Sequence, residues 1–134
     1  MKSLRLWIID DTHAHHRVAE ATVAELSAVG TIVVEHFYSG QEGDDAYRER
    51  LEAGGPLPDV ILMDFFLGDT RGDHLTRQLR RLEHGRHHAH IVGYSSVPSG
   101  SAAIVAAGAD SVLPKRVETE VNPYLADFLI ARLA

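Results

Sequence analysis

Five short apolar runs constrain this chain more than any other feature: LRLWII (4–9), TIVVEHF (31–37), DVILM (59–63), HIVGYS (90–95) and DSVLP (110–114). Most are near-continuous rather than alternating, which is how strands read when both faces of their sheet are covered. The segments between them carry helical spacing. Val18, Thr22, Leu26 and Val29 line one face of the first, and Leu75, Leu79 and Leu82 line a face of the third. Gly30 and Gly108 stand where glycines that end helices belong. Asn122-Pro123 before YLADFLIARL reads as an N-cap with proline in the first helical turn. Strands alternating with helices imply an α/β fold of five βα units, a doubly wound parallel sheet with helices on both faces. No repeat, linker or low-complexity tract divides the 134 residues, so one domain spanning 1–134 is expected.

Composition narrows the function classes. With 45% apolar and 24% charged residues the chain reads as a soluble globular domain. No apolar run is long enough to span a bilayer, and the stretch before Asp10 is too short for a signal peptide. The absence of cysteine removes disulfides, thiolate metal sites and thiol nucleophiles, and a cytoplasmic location is expected. A net charge of −6 argues against a nucleic-acid surface.

In doubly wound sheets, ligands bind at the carboxyl ends of the strands, near the switch in strand order. The first run ends in Asp10-Asp11, the third in Asp64 and the fourth in Ser95-Ser96, and Lys115 follows the fifth. A carboxylate closing a buried strand is costly unless a positive charge meets it. Three acids this close repel one another unless a cation is present. A hard divalent cation such as Mg2+ resolves that conflict, because it binds through one or two carboxylates, waters and phosphate oxygens. A metal, a hydroxyl and an ammonium around a carboxylate make a site for phosphoryl transfer to that carboxylate. Taken singly, each residue has a plainer account. Asp10-Asp11 suits a helix N-terminus, Asp64 a turn, Ser95-Ser96 a cap and Lys115 the surface.

Acids after strand one, Asp after strand three, a hydroxyl after strand four and Lys after strand five together resemble the receiver domain of bacterial two-component response regulators. The resemblance covers essentially the whole chain. Gly72, eight residues after Asp64, and Gly108-Ala109-Asp110 before Lys115 agree with it. It implies a flavodoxin-like sheet in the order 2-1-3-4-5 and a phosphoacceptor signalling module, enzyme-like only in its own aspartyl phosphorylation and hydrolysis. Asp64 would accept a phosphoryl group from a histidine kinase or phosphotransfer protein. Asp10, Asp11, Asp64 and the backbone carbonyl of Phe66 would hold Mg2+, and Ser95 and Lys115 would contact phosphate oxygens. The family's signalling surface, around helix four, strand five and helix five, would meet a protein partner, with a homodimer as one option. With no DNA-binding segment after Ala134, a stand-alone receiver or a fragment of a longer chain is expected, with output by protein contact or phosphotransfer.

The chain departs from the family pattern at several positions. Gly68 and Arg116 stand where prolines are usual, so a cis Lys-Pro bond cannot form. Val112 replaces the usual switch aromatic, for which Tyr94 is a candidate substitute. The segment from Ser95 to Gly108 is short, and its small apolar residues, SAAIVAAG, are expected to pack on the sheet. Exposure to a partner is the competing reading. Core packing is the default for Phe65 and Phe66, although Phe66, like Val97, is placed to modulate Asp64. The 9 histidines are expected to be solvated at loops and helix ends, with His13 the one placed within reach of Asp64.

Two other function classes compete. A degenerate receiver would act as a phosphorylation-independent binding or dimerisation module. An α/β phosphatase of the haloacid-dehalogenase type needs Asp-x-Asp at its nucleophile, where Phe66 stands instead. A flavin-binding relative needs a phosphate-cradling loop after strand one, and Asp10-Asp11-Thr12-His13 is wrong for it.

Overall fold

A computed structural model describes residues 2–134. Its elements are β1 (Ser3–Ile9), α1 (His13–Ala24), β2 (Thr31–Phe37), α2 (Gly40–Ala53), β3 (Val60–Met63), α3 (Gly72–Glu83), β4 (His90–Gly93), α4 (Pro98–Ala106), β5 (Ser111–Val112) and α5 (Pro123–Leu133). All five strands are parallel, in the order β2-β1-β3-β4-β5. The expected architecture is therefore the observed one.

Strand alternation sorts the core into two layers. Leu6, Ile8, Leu62, Val92 and Tyr94 face Ala19 and Leu26 on the α1 side and Leu125, Leu129 and Leu133 of α5. Trp7, Ile9, Ile61, Met63 and Ile91 face Tyr47 of α2, Leu75 and Leu79 of α3 and Ile104 of α4. All four residues of β3 are buried, because this strand is central and covered on both faces. At the β2 edge, Glu35 gathers the Arg50 and Arg5 guanidiniums and the Trp7 indole N–H. The hydrogen bond from Arg50 is the main reason its carboxyl falls to a pKa of about 2.

Several local expectations need correction. Helix α1 ends at Ala24, so Leu26 packs from a turn and Val29 is exposed, not on the helix face. Gly30 is not a left-handed cap. It is needed for close packing, since a Cβ there would stand 2.8 Å from the Lys2 carbonyl and 2.9 Å from Leu133. The left-handed cap of α2 is Gly54. Gly108 does follow α4, at φ 122°. The fifth strand contracts to Ser111–Val112 at the edge of the sheet, where only Val92 and Gly93 of β4 pair with it. Asn122 caps α5 as expected, its side-chain oxygen accepting from the N–H groups of Tyr124 and Leu125.

Candidate functional site

The order β2-β1-β3 puts the topological switch between β1 and β3, where the crevice opens at the strand ends. Asp10 follows β1, its N–H bonded to the Phe37 carbonyl, and Asp64 follows β3, its N–H bonded to the Ile9 carbonyl. These ladder bonds bring two carboxylates side by side. Asp10 is 1% exposed and Asp64 8%.

Lys115 supplies the charge that this arrangement needs. Its side chain is 1% exposed, and its Nζ donates to Asp10 Oδ2 at 2.6 Å and lies 3.2 Å from Asp64 Oδ1. The loop carrying it is fixed by Asn122, whose Nδ2 donates to the Pro114 carbonyl and to the Tyr94 hydroxyl. Burial is the main influence on Asp64 and raises its pKa. Lys115 opposes that rise, and the Asp10 charge adds to it. Asp64 is therefore a carboxylate whose charge is incompletely compensated, which suits a group that meets a cation.

Glycine shapes the loop beyond Asp64. A Cβ on Gly72 would stand 2.0 Å from the Asp64 carbonyl oxygen, so only glycine lets α3 start this close to the site. Gly68 has φ 83°, which a proline ring cannot adopt. A Cβ at Gly68 would be 3.6 Å from Asp11 Oδ2.

The sequence candidates divide. Asp10, Asp64 and Lys115 meet directly. Ser95 is buried beside α4, its hydroxyl accepting from the Val97 N–H while its N–H donates to Ser101 Oγ. Asp11 is exposed on the loop. Phe66 is 60% exposed, so core packing fails for it, whereas Phe65 is half-buried with its ring edge-on to Phe66. The alternation that sends Phe65 towards α4 turns Phe66 outward. Val97 is exposed at the N-cap of α4. Tyr94 is buried and held by Asn122, and burial pushes its phenol up to about 12. It is a buried wall of the α1–α5 core, and Lys115 Nζ lies 5.5 Å from the centre of its ring.

The histidines differ most from expectation. His13 stacks on Tyr38 with ring centroids 4.3 Å apart. With His16, Arg17, Glu20, His36 and Tyr38 it lines a hollow of about 270 Å3. His16 is buried, its Nε2 at 2.8 Å from the Asp10 carbonyl and its Nδ1 at 2.7 Å from His36 Nδ1. His87 and His90 are partly buried and bonded to Pro58 and Ser111, whereas His88 is exposed as expected while also meeting Asp110. The residue that reaches the site is His15, whose Nδ1 lies 3.1 and 3.0 Å from the two Asp10 oxygens. A helix signal was available, because side chains lean towards the helix N-terminus and His15 is the third residue of α1.

Next to α4, a hollow of about 500 Å3 is lined by Ser95, Pro98, Ser101, Ala102, Val112, Leu113 and Pro114. Ser101 and Ile104 pack inward, while Val105, Val97 and Val112 are exposed. Helix α4 is thus packed along one side and apolar towards solvent along the other.

No family model matches this sequence, and no curated protein matches it. Solved structures do match in fold. The receiver domain of the Arabidopsis thaliana histidine kinase CKI1, complexed with Mg2+ and BeF3−, superposes with a TM-score of 0.72 at 22% identity, covering 96% of this chain and 90% of that one. A two-component response regulator from Clostridium difficile gives 0.71 at 16% identity over 97% and 94%. A CheY-like receiver domain protein from Methanospirillum hungatei JF-1 gives 0.68 at 24% identity over 98% and 94%. With the sheet order and the acids at its switch point, these likenesses show that the fold of this chain is that of response-regulator receiver domains.

Proposed function

We propose that residues 1–134 form a receiver module that accepts a phosphoryl group on Asp64 and signals through protein contact. The observation that carries this reading is the buried Lys115 ammonium shared by Asp10 and Asp64, 2.6 and 3.2 Å away. A buried ammonium between two acids has no use on a plain binding scaffold, where apolar residues of the same volume would serve as well or better.

In this reading an Asp64 carboxylate oxygen attacks phosphorus. The P–N bond of a phosphohistidine on the donor kinase or phosphotransfer protein breaks, and the leaving imidazole takes up a proton. Lys115, already beside Asp64, pairs with a phosphoryl oxygen, and the Ser95 hydroxyl, which now only accepts, turns to donate to another. Asp10, Asp11, Asp64 and the Phe66 carbonyl are the groups proposed to hold Mg2+. The residues fit such an ion, since the Asp10 and Asp64 carboxylates already lie within 4.8 Å of each other and Asp64 is under-compensated. Bound there, Mg2+ would neutralise charge gathering on the transferred group. The added charge then biases the surface of α4, β5 and α5, where Val97, Val105, Val112, Tyr124 and Ile130 are exposed. A protein partner is the proposed reader of that surface.

Beryllofluoride with Mg2+ mimics an aspartyl phosphate without turnover and gives a test. Their joint addition shifts the backbone amide resonances of Ser95, Val97 and Lys115 in wild type and leaves Asp64→Asn unchanged. Equal spectra for wild type with and without the mimic would contradict the proposal.

A further inference from the structure

The imidazole of His15 has no part in the chemistry proposed above, yet it occupies the same crevice. One ligand atom each from Asp10, His15 and Asp64 lie within 4.8 Å of one another. The His15 side chain is 19% exposed and that of Asp10 2%, so the contact is largely withdrawn from water. Its Nδ1 stands 3.0 Å from Asp10 Oδ2. Two ligands at right angles on an octahedral ion with bonds of about 2.1 Å are themselves about 3.0 Å apart. The observed separation is that of a hydrogen bond, on an oxygen that also accepts from Lys115 Nζ, and it equals the spacing of neighbouring ligands. For its lone pair to face an ion, the imidazole proton moves to Nε2 and the ring turns off the Asp10 carboxylate that Nδ1 now faces.

We propose that His15 is a nitrogen ligand of the cation site at Asp10 and Asp64, making that site selective for borderline first-row ions such as Mn2+, Co2+ or Zn2+ over Mg2+. This rests on the reading of that crevice as a cation site. Its physical basis is ligand type. An all-oxygen shell suits Mg2+, whereas imidazole adds little for that ion and much for the later divalent metals. The position on α1 gives the ligand its aim, because the third residue of the helix leans back over the loop carrying Asp10 and Asp11. His13 and His16, on the same turn, are committed elsewhere, to Tyr38 and to the Asp10 carbonyl.

The test compares wild type, His15→Gln and His13→Gln with Asp64→Asn as the reference lacking the site. Calorimetry gives affinities for Mg2+ and Co2+, counting only binding lost in Asp64→Asn, and pulsed electron paramagnetic resonance reads nitrogen coupling to bound Mn2+. The wild type and His13→Gln show the coupling, and His15→Gln loses it. In His15→Gln the Co2+ affinity falls about tenfold or more while that for Mg2+ changes by less than about twofold. Circular dichroism confirms that the variant is folded, and the wild-type spectrum stands without any variant. Metal binding with no nitrogen coupling, or with coupling retained in His15→Gln, would overturn the role of His15 alone. Failure of any ion to bind in an Asp64-dependent way would overturn the cation site as well.

Discussion

Lys115→Met is expected to cost about 3 kcal/mol of folding stability at neutral pH without divalent metal, because it leaves two buried acids without their cation. Methionine keeps most of the aliphatic stem, so the loss measures charge and not packing. The pH dependence identifies the cause. Asp64 is pushed up by burial, with Asp10 adding to the rise and Lys115 opposing it. Removing Lys115 raises it further. A carboxyl raised in the folded state binds more protons there than in the unfolded chain, so stability falls as pH rises. The deficit is therefore smallest near the unfolded value of about 3.9 and grows as pH climbs through the folded value. Divalent metal reverses part of it by supplying the missing charge. Urea denaturation across pH, with and without metal, reads all three effects. A loss below about 0.5 kcal/mol, flat with pH, would mean that the ion pair is as weak as a surface one.

Glu83→Ala is expected to cost about 3–5 kcal/mol, although the residue lies far from the crevice. Glu83 is 4% exposed at the end of α3. It accepts from the Tyr47 hydroxyl at 2.5 Å, from the Ala89 N–H at 3.0 Å and from Arg80 Nη1 at 2.9 Å. Arg80 in turn donates to Asp110 and to the carbonyls of Ala89 and Gly108. One carboxylate thereby ties α2, α3 and the loop entering β4 together. Alanine leaves a buried hydroxyl and amide unpaired and removes the carboxylate that faces Arg80. Glu83→Gln keeps the shape and part of the bonding, at about 1–2 kcal/mol. In a double-mutant cycle, Tyr47→Phe recovers part of the Glu83→Ala loss, since the orphaned hydroxyl goes with it. A cost under about 1 kcal/mol for Glu83→Ala would show that the network contributes nothing beyond its surface equivalents.

Much of this architecture is legible in the sequence because its strongest signals are long-range and redundant. Five apolar runs, each followed by helical spacing, admit few topologies other than a covered parallel sheet. Asp10, Asp64 and Lys115 were legible because strand ends fix where their side chains emerge. What was not legible depends on side-chain direction and local turns. The helical period of α1 continues by coincidence to Val29, although the chain leaves the helix after Ala24. Phe65 and Phe66 are chemically alike, and only the path of the loop decides which one is buried. His13 and His15 are two residues apart and face different neighbours, one Tyr38 and the other Asp10. Their separate fates follow from helix geometry, once the helix start at His13 is known.

The claim that Asp64 is a phosphoacceptor is tested most directly by intact mass after incubation with acetyl phosphate and Mg2+, beside Asp64→Asn. The wild type gains the mass of one phosphoryl group, lost again on standing or in alkali as an acyl phosphate should be, and the variant gains nothing. No gain by folded wild-type protein at saturating metal would contradict the account and favour a phosphorylation-independent binding module on the same fold.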